Sequence, residues 1–471
     1  MKSGRGPLLP GGLALGLAVL LAGCTVGPNY QRPKLRMPTV YRGAAAHSAT
    51  GAAASLGNKK WWQVFHDPVL QRLIRTALRQ NFDARMAADR VLEAQAQLGV
   101  TRAAQYPQVS AGAELFGQRN PKVSKVFPAY STRAGEIDVA AIWNLDFWGK
   151  FRRQDEAARD QLLATEWGRR EVMASVVSGV AAGYFQLRES DQALAIAQST
   201  LATRRASAHL ISILAANGSE SDLDLQQALE LVYSAAEAVR QIESQREQQE
   251  NAIRVLVGEV PGPIARPKTW KPPALRATVP AGLPAELLER RPDIREAEAE
   301  LMAATANIGV AKADFFPNIA LTGTGGLETP ALNRLIATPS LLGSAAASAV
   351  EAIFAGGARH AEMRLTRAEE QEMLVSYQQT ISTALEQVSD ALIAYHRNRQ
   401  ITRQQARLAH AAAEADRLSN VLYKHGGASF LQVLTSETND FAAQLDLAQA
   451  RLNERLALVQ LYNALGGGWQ R

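Results

Sequence analysis

Few residues in this chain have types and spacing suited to chemistry. Cys24 is the only cysteine among 471 residues, so no intrachain disulfide and no multi-cysteine metal centre is available. Its setting assigns it another reaction. Lys2 and Arg5 make a basic start, Leu8 to Leu21 is an apolar run too short to span a bilayer comfortably, and Leu21-Ala22-Gly23 puts small residues ahead of the thiol. This is the pattern of a bacterial lipoprotein signal. Cleavage leaves Cys24 at a new N-terminus carrying acyl chains, each buried methylene contributing roughly 0.8 kcal/mol of membrane affinity. The bland alternative is an ordinary secretory signal before an incidental cysteine. Thr25, not Asp, follows, which favours sorting to an outer membrane over retention in an inner one.

The seven histidines, at 47, 66, 209, 360, 396, 410 and 425, form no His-Glu-x-x-His or other ligand spacing. There is no Walker loop and no Gly-x-Ser-x-Gly, and the runs Gly356-Gly357 and Gly466-Gly467-Gly468 read as helix ends. The expectation is a protein without catalytic residues, metal or cofactor beyond lipid on Cys24. The formal charge of +6 is a mild excess over 471 residues, a weak basis for nucleic-acid binding, and none is expected.

What must position anything functional is a duplication. Arg85 to Val109 aligns with Arg295 to Ile319 at an offset of 210 residues: Gly99-Val100 meets Gly309-Val310, and Tyr106-Pro107 meets Phe316-Pro317. Phe147-Trp148-Gly149 falls opposite Phe354-Ala355-Gly356, Asn217-Gly218-Ser219 opposite His425-Gly426-Gly427, and Val257-Gly258 opposite Leu465-Gly466. The boundaries that follow are a signal peptide at 1–23, a tether at 24–66, repeats at 67–258 and 293–466, a connector at 259–292 and a tail at 467–471. The connector is marked by eight prolines, which exclude a continuous helix or central strand.

Each repeat has the same grammar. A helix of about 38 residues is expected from Asp67 to Tyr106. A strand follows from Pro107, with Val109, Ala111, Ala113 and Leu115 alternating against Gln108, Ser110, Gly112 and Glu114. The return strand puts Ile137, Val139, Ala141, Trp143 and Leu145 on one face, with Ile142 as the exception on the other. Alternation of this kind over ~10 residues fits a transmembrane barrel strand, the alternative being a soluble sandwich. In the second repeat, Ile319, Leu321 and Leu327 repeat the first strand, and its partner is expected at Ser344 to Ile353. Long helices then run from Lys150 to Asn217 and from Gly357 to His425, each ~100 Å. Turns at Gly218 and at Gly426-Gly427 end them, and shorter helices return over Leu223 to Val257 and Leu431 to Leu465. The two short helices of a repeat, stacked end to end, match its long one, giving a helical wall ~100 Å tall. A coiled-coil stalk would explain the helices but not the hairpins.

Four strands cannot close a barrel, about eight being the smallest workable number, and an open edge is intolerable in lipid. The chain must therefore join copies of itself. Three copies would supply twelve strands; the residues exclude one copy without choosing three.

Several segments bear a resemblance that does choose. Cys24-Thr25-Val26-Gly27-Pro28-Asn29-Tyr30, Trp61-Trp62, Leu145-Asp146-Phe147-Trp148-Gly149, Glu289-Arg290-Arg291-Pro292-Asp293-Ile294, Phe315-Phe316-Pro317 and Ala464-Leu465-Gly466-Gly467-Gly468-Trp469 resemble the outer-membrane factor family, in its TolC-like, NodT-type lipoprotein branch. The resemblance implies a mainly α fold with a transmembrane β part: a homotrimeric 12-stranded barrel continuing into a periplasmic α-helical barrel. It implies a passive exit duct of a tripartite efflux system for drugs or other small toxic solutes. The partners would be a periplasmic adaptor and an inner-membrane pump of the resistance-nodulation-division type. The alternatives are a duct for type I protein secretion or heavy-metal efflux, or a periplasmic helical-hairpin adaptor. By the same resemblance the helix tips at Asn217 to Asp224 and His425 to Gln432 form the gate. The second tip lacks the acid common in the family, with Ala428, Gln432 and Thr435 at the matching positions. The first tip carries Glu220, Asp222 and Asp224 instead, which would either focus negative potential at the mouth or cap a helix start.

Overall fold

The computed structural model describes residues 25–43, 55–121, 130–270, 279–329 and 341–470. The signal segment, Cys24, residues 44–54 of the tether and 271–278 of the connector lie outside the described residues. The first half runs α1 (Trp61–Val64), α2 (Pro68–Gln80), α3 (Phe82–Ala103), β1 (Gln108–Asn120), β2 (Tyr130–Leu145), α4 (Lys150–Ala216) and α5 (Asp222–Leu256). The second runs α6 (Leu287–Arg290), α7 (Pro292–Ala313), β3 (Asn318–Thr329), β4 (Leu341–Val350), α8 (Ala358–Lys424) and α9 (Phe430–Ala464). Helices α3 and α7 have 22 residues each, α4 and α8 67, and α5 and α9 35. Equal sequence offsets have become equal elements. Among the described residues no helix is long and apolar enough to cross a membrane.

The helix expected from Asp67 to Tyr106 is broken at Asn81 and stops at Ala103. Asn81 takes φ −55° and ψ 134°. Its Oδ1 accepts from the Ala84 N–H at 2.9 Å, which starts a fresh helix, and its Nδ2 donates to the Leu256 carbonyl at 2.9 Å. Asparagine competes for backbone groups in this way, a local preference that overrides the apolar period. The break seats the end of α5 against the start of α3. Gly258 packs there at φ +79°, where a Cβ would lie 2.3 Å from the Gln80 carbonyl oxygen. Arg291 holds the matching place in the second half. It donates from Nη1 to the Ala464 carbonyl at 2.9 Å and grips Asp293 from Nε and Nη2 at 3.0 and 2.6 Å. Two unlike residues, 210 apart, thus close the same end-to-end helix joint.

The fourth strand is also displaced from expectation, spanning Leu341–Val350 instead of Ser344 to Ile353. Its register is set by pairing, from Leu327↔Leu341 to Asn318↔Val350. An Ala/Ser-rich strand has no strong apolar period to announce that register.

The chain forms two compact units. One comprises Met1–Lys34, Val91–Thr165 and Glu296–Tyr377. It holds a single antiparallel sheet of order β1-β2-β3-β4. The segment after Cys24 is strapped onto its helices. Val26 N–H donates to the Trp148 carbonyl at 3.1 Å, Arg153 reaches Asn29 at 2.7 Å, and Tyr30 and Arg32 both bind Glu298, whose side chain is 5% exposed. The strap crosses α7 at Gly309, so closely that a Cβ on Gly27 would fall 2.4 Å from the Gly309 Cα.

In the same unit Asp160 of α4 is half-buried; burial first, then the neighbouring Glu156 carboxylate, push its carboxyl from 3.8 up to about 6. The folded chain therefore holds more protons than the unfolded one across that window, and stability falls as pH rises through it. Asp160→Asn is expected to stabilise the protein near neutral pH by about 1 kcal/mol, its partial exposure discounting the effect. The variant should also flatten the dependence between about pH 4 and 6, which thermal unfolding across that range checks.

The second unit comprises Leu35–Arg90, Glu166–Arg295 and Gln378–Arg471. Helix α2 buries Leu70, Ile74 and Ala77. Asp67 caps it, accepting from the Val69 and Leu70 N–H groups at 2.8 and 3.1 Å and from Tyr184 Oη and Trp270 Nε1 at 2.9 Å each. Burial, and then the Asp67 charge, hold the Tyr184 hydroxyl well above its usual range. The C-terminal glycines are a packing requirement: a Cβ on Gly467 would stand 2.3 Å from the Tyr462 ring.

Candidate functional site: the strand sheet and the helix tips

Directly paired residues of an antiparallel sheet share a face, so the register sorts the strands into two surfaces. One carries Val109, Leu115, Ile137, Val139, Leu321, Leu327 and Leu341. Most of these are large apolar side chains left open in the single chain, Val109 at 67%, Leu115 at 69% and Leu341 at 78% exposure. The other surface carries Ser110, Glu114, Glu136, Asp138, Thr322, Thr324, Glu328 and Ser344, with Ile142 between Gln108 and Thr322 and with Phe116, Leu342 and Val350 as its other large apolar members.

Register also reveals a feature the alternation pattern missed. Glu114 pairs with Glu136, and Glu136 with Glu328, so three carboxylates stand in one row across three strands. Like charges directly opposite repel, and charge in a dry sheet interface is costly. This face must stay wet. A soluble sandwich would bury one face, whereas Val109, Leu115 and Leu341 on the apolar face stay exposed among the described residues. Apolar outside and acidic, hydrated inside is the polarity of a barrel strand set in lipid. Among the described residues both edge strands, β1 and β4, end the sheet without a further partner strand. Glu328 was invisible to periodicity because only pairing brings it beside Glu136.

The helix tips lie in the second unit. Gly218 and Gly426 adopt φ +75° and +74°, the left-handed turn that ends α4 and α8, while Gly427 does not. Ser221 is the N-cap of α5, its Oγ accepting from the Asp224 N–H at 3.1 Å while the Asp224 carboxylate accepts from the Ser221 N–H at 3.2 Å. Asp224 is thereby engaged in a capping box. Asp222 is exposed in the first turn. Glu220 has a different role: it accepts from Tyr423 Oη at 2.6 Å, tying the first tip to the end of α8. Burial first, then this bond and the charges of Glu220 and Asp224, raise the Tyr423 hydroxyl above its usual range. Gln432 and Thr435 are exposed on α9, and Thr435 Oγ1 donates back to the Leu431 carbonyl at 2.8 Å. Beneath the tips, Ile211, Ala228, Val232, Phe430 and Val433 form an apolar core shared by the two helical hairpins.

Deeper in this core is a charged group that spacing did not single out. Arg204 is 3% and Glu437 7% exposed. Arg204 donates to the Leu231 carbonyl at 3.1 Å and lies 5.2 Å from the Phe441 ring. Burial, then the charge of Asp416, push the Glu437 carboxyl upward, and Arg204 partly offsets them.

Among the described residues no group of His, Cys, Asp and Glu is placed to hold a metal ion. Comparison with known proteins bears on this arrangement directly. The family described as Outer membrane efflux protein matches residues 73–259 and 283–467, one segment for each repeat. The cation efflux system protein CusC of Escherichia coli O6:H1 is 34% identical over 457 residues, covering 97% of this chain and 98% of the relative. The toluene efflux pump outer membrane protein TtgC of Pseudomonas putida is 35% identical over 461 residues, covering 96% and 94%. A crystal structure of CusC superposes with a TM-score of 0.83 at 31% identity, over 94% of this chain and all of that one. The chain has the TolC-like channel fold and is the outer-membrane channel component of an efflux system. With its open-edged, two-faced sheet and its paired helical hairpins, the chain belongs to the outer membrane efflux protein family.

Proposed function

We propose that three copies assemble into a passive exit duct, β1 of each pairing with β4 of the next to close twelve strands. The duct receives its cargo from a periplasmic adaptor and an inner-membrane pump of the resistance-nodulation-division type. The observation that carries this reading is the sheet: an exposed apolar face, a row of glutamates on the opposite face, and two open edges. Cyclic closure satisfies those edges. Acyl chains on Cys24 add a second hold on the membrane, beside the strap that fixes Val26 and Asn29. The cargo is organic toxicants, in line with the toluene named for one relative. Cations are the second reading, in line with the name of the other. Deleting the gene and comparing sensitivity to toluene and to silver or copper salts separates the two. Sensitivity to neither would overturn both.

Tyr423 and Glu220 supply the test of the tip as a gate. Their bond joins the two hairpin ends of one chain, and widening the mouth separates those ends. A bond to a charged group is worth about 1 kcal/mol at a half-exposed site, roughly fivefold in an equilibrium. Tyr423→Phe and Glu220→Ala, each of which removes the bond, are each expected to raise the open fraction in planar-bilayer recordings about fivefold. Unchanged conductance in both variants would remove the tips from gating.

A further inference from the structure

An open cleft of about 730 Å³ lies between α7 and α8, where both join the β3–β4 hairpin. Its lining is apolar at Phe315, Phe316 and Met363 and cationic at Lys312 and Arg367, with His360 also among the lining residues. No carboxylate lines it. Asp314, two residues from Lys312, is paired with Lys150 at 2.5 Å. Lys312 and Arg367 are both exposed. The cleft therefore combines an apolar bed with uncompensated positive charge, complementary to an amphiphile with an anionic head.

Its place in the fold narrows the choice of amphiphile. Helix α7 ends at Ala313 and β3 begins at Asn318, while His360 is two residues into α8 after the end of β4 at Val350. The strand ends mark the rim of the hydrocarbon layer, so the cleft sits at headgroup depth. Aromatic rings gather at the same level: Trp148 stacks on Phe316 at 4.8 Å and donates to the Pro317 carbonyl at 2.9 Å. Such rings favour the membrane–water interface. Gly27 and Pro28 of the strap border the cleft, close behind Cys24. Basic pockets at this depth take up lipid phosphates.

We propose that this cleft seats the headgroup of an anionic phospholipid from the periplasmic leaflet. The phosphate lies against Lys312 and Arg367, and an acyl chain lies over Phe315, Phe316 and Met363. The placement rests on the membrane-embedded reading of the sheet.

The test uses the full acylated protein as its gel-verified oligomer, in nanodiscs of equal phosphatidylglycerol and phosphatidylcholine. Native mass spectrometry after release reads the ratio of the two lipids retained. The wild type is expected to enrich phosphatidylglycerol about tenfold, and Lys312→Gln with Arg367→Gln to bring the ratio near one while the oligomer persists. Lys312→Arg should keep the enrichment. A wild-type ratio near one overturns the proposal. Equal enrichment in the double variant also overturns it, as would follow if Cys24 acyl chains or a neighbouring copy filled the cleft. Should the wild type form no oligomer, the reading of the sheet fails first, and the lipid site with it.

Discussion

Arg266→Met is expected to destabilise the protein by about 3–5 kcal/mol, enough to prevent oligomer recovery at growth temperature. Arg266 of the connector is 10% exposed and pairs with two acids from different helices, Asp191 of α4 at 2.7 Å and Glu250 of α5. Burial alone would weaken its charge, yet the bonds from Asp191 and Glu250 outweigh burial and hold the guanidinium above its usual range. Methionine fills similar volume but leaves Glu250, 12% exposed, as a buried carboxylate with no cation. Arg188 continues to hold Asp191 at 3.0 Å, so the loss centres on Glu250. Adding Glu250→Leu to Arg266→Met should then restore most of the stability, because replacing a whole buried pair by apolar groups costs little. Heat-dependent gel mobility of the two variants measures the difference. Equal damage in both would mean that the connector is held by contacts other than this ion cluster.

Val139→Lys carries the second large effect. Val139 lies on the apolar face, paired with Ala111 and Gly325, and is 51% exposed in the single chain. A lysine on the lipid face of a barrel costs about 2–4 kcal/mol near the bilayer midplane, and the change is repeated in every copy. Ala140→Lys, one residue along, points to the other face between Ser110 and Thr324. There the ammonium meets water on the face that carries Asp138 and, one row further, the glutamates, so assembly should survive and cation conductance should fall. Folding yield into vesicles separates the pair. If both lysines were tolerated equally, the two-faced assignment of the sheet would be wrong.

Much of this was legible in the sequence because the chain states its plan twice. Gly218 and Gly426 marked helix turns, and the offset from Val257-Gly258 to Leu465-Gly466 predicted that equivalent joints would recur, as they do. Strand β2 was readable from Ile137, Val139 and Trp143 because a half-wet strand must alternate. Features that depend on partners distant in sequence were hidden. Asn81 breaks a helix for the sake of the Leu256 carbonyl, 175 residues away. The alanines and serines of β4 left its register to pairing alone. The acidic tip illustrates the same limit: Glu220, Asp222 and Asp224 look alike as a run of carboxylates. Contacts divide them, Asp224 to a helix cap and Glu220 to Tyr423.

In the assembled duct β1 and β4 are expected to find their missing partners in other copies of the chain. A cysteine at Ala346 of β4, combined with single cysteines stepped along β1 from Ser110 to Gln118, tests it by oxidation in the membrane. Cys24 is the sequence's one native cysteine, so a Cys24→Ala background leaves no other thiol to compete. Alternate β1 positions are expected to give crosslinks between chains, with dimer and trimer bands on a denaturing gel and nothing larger. Monomer alone at every position, or disulfides confined within one chain, would contradict it.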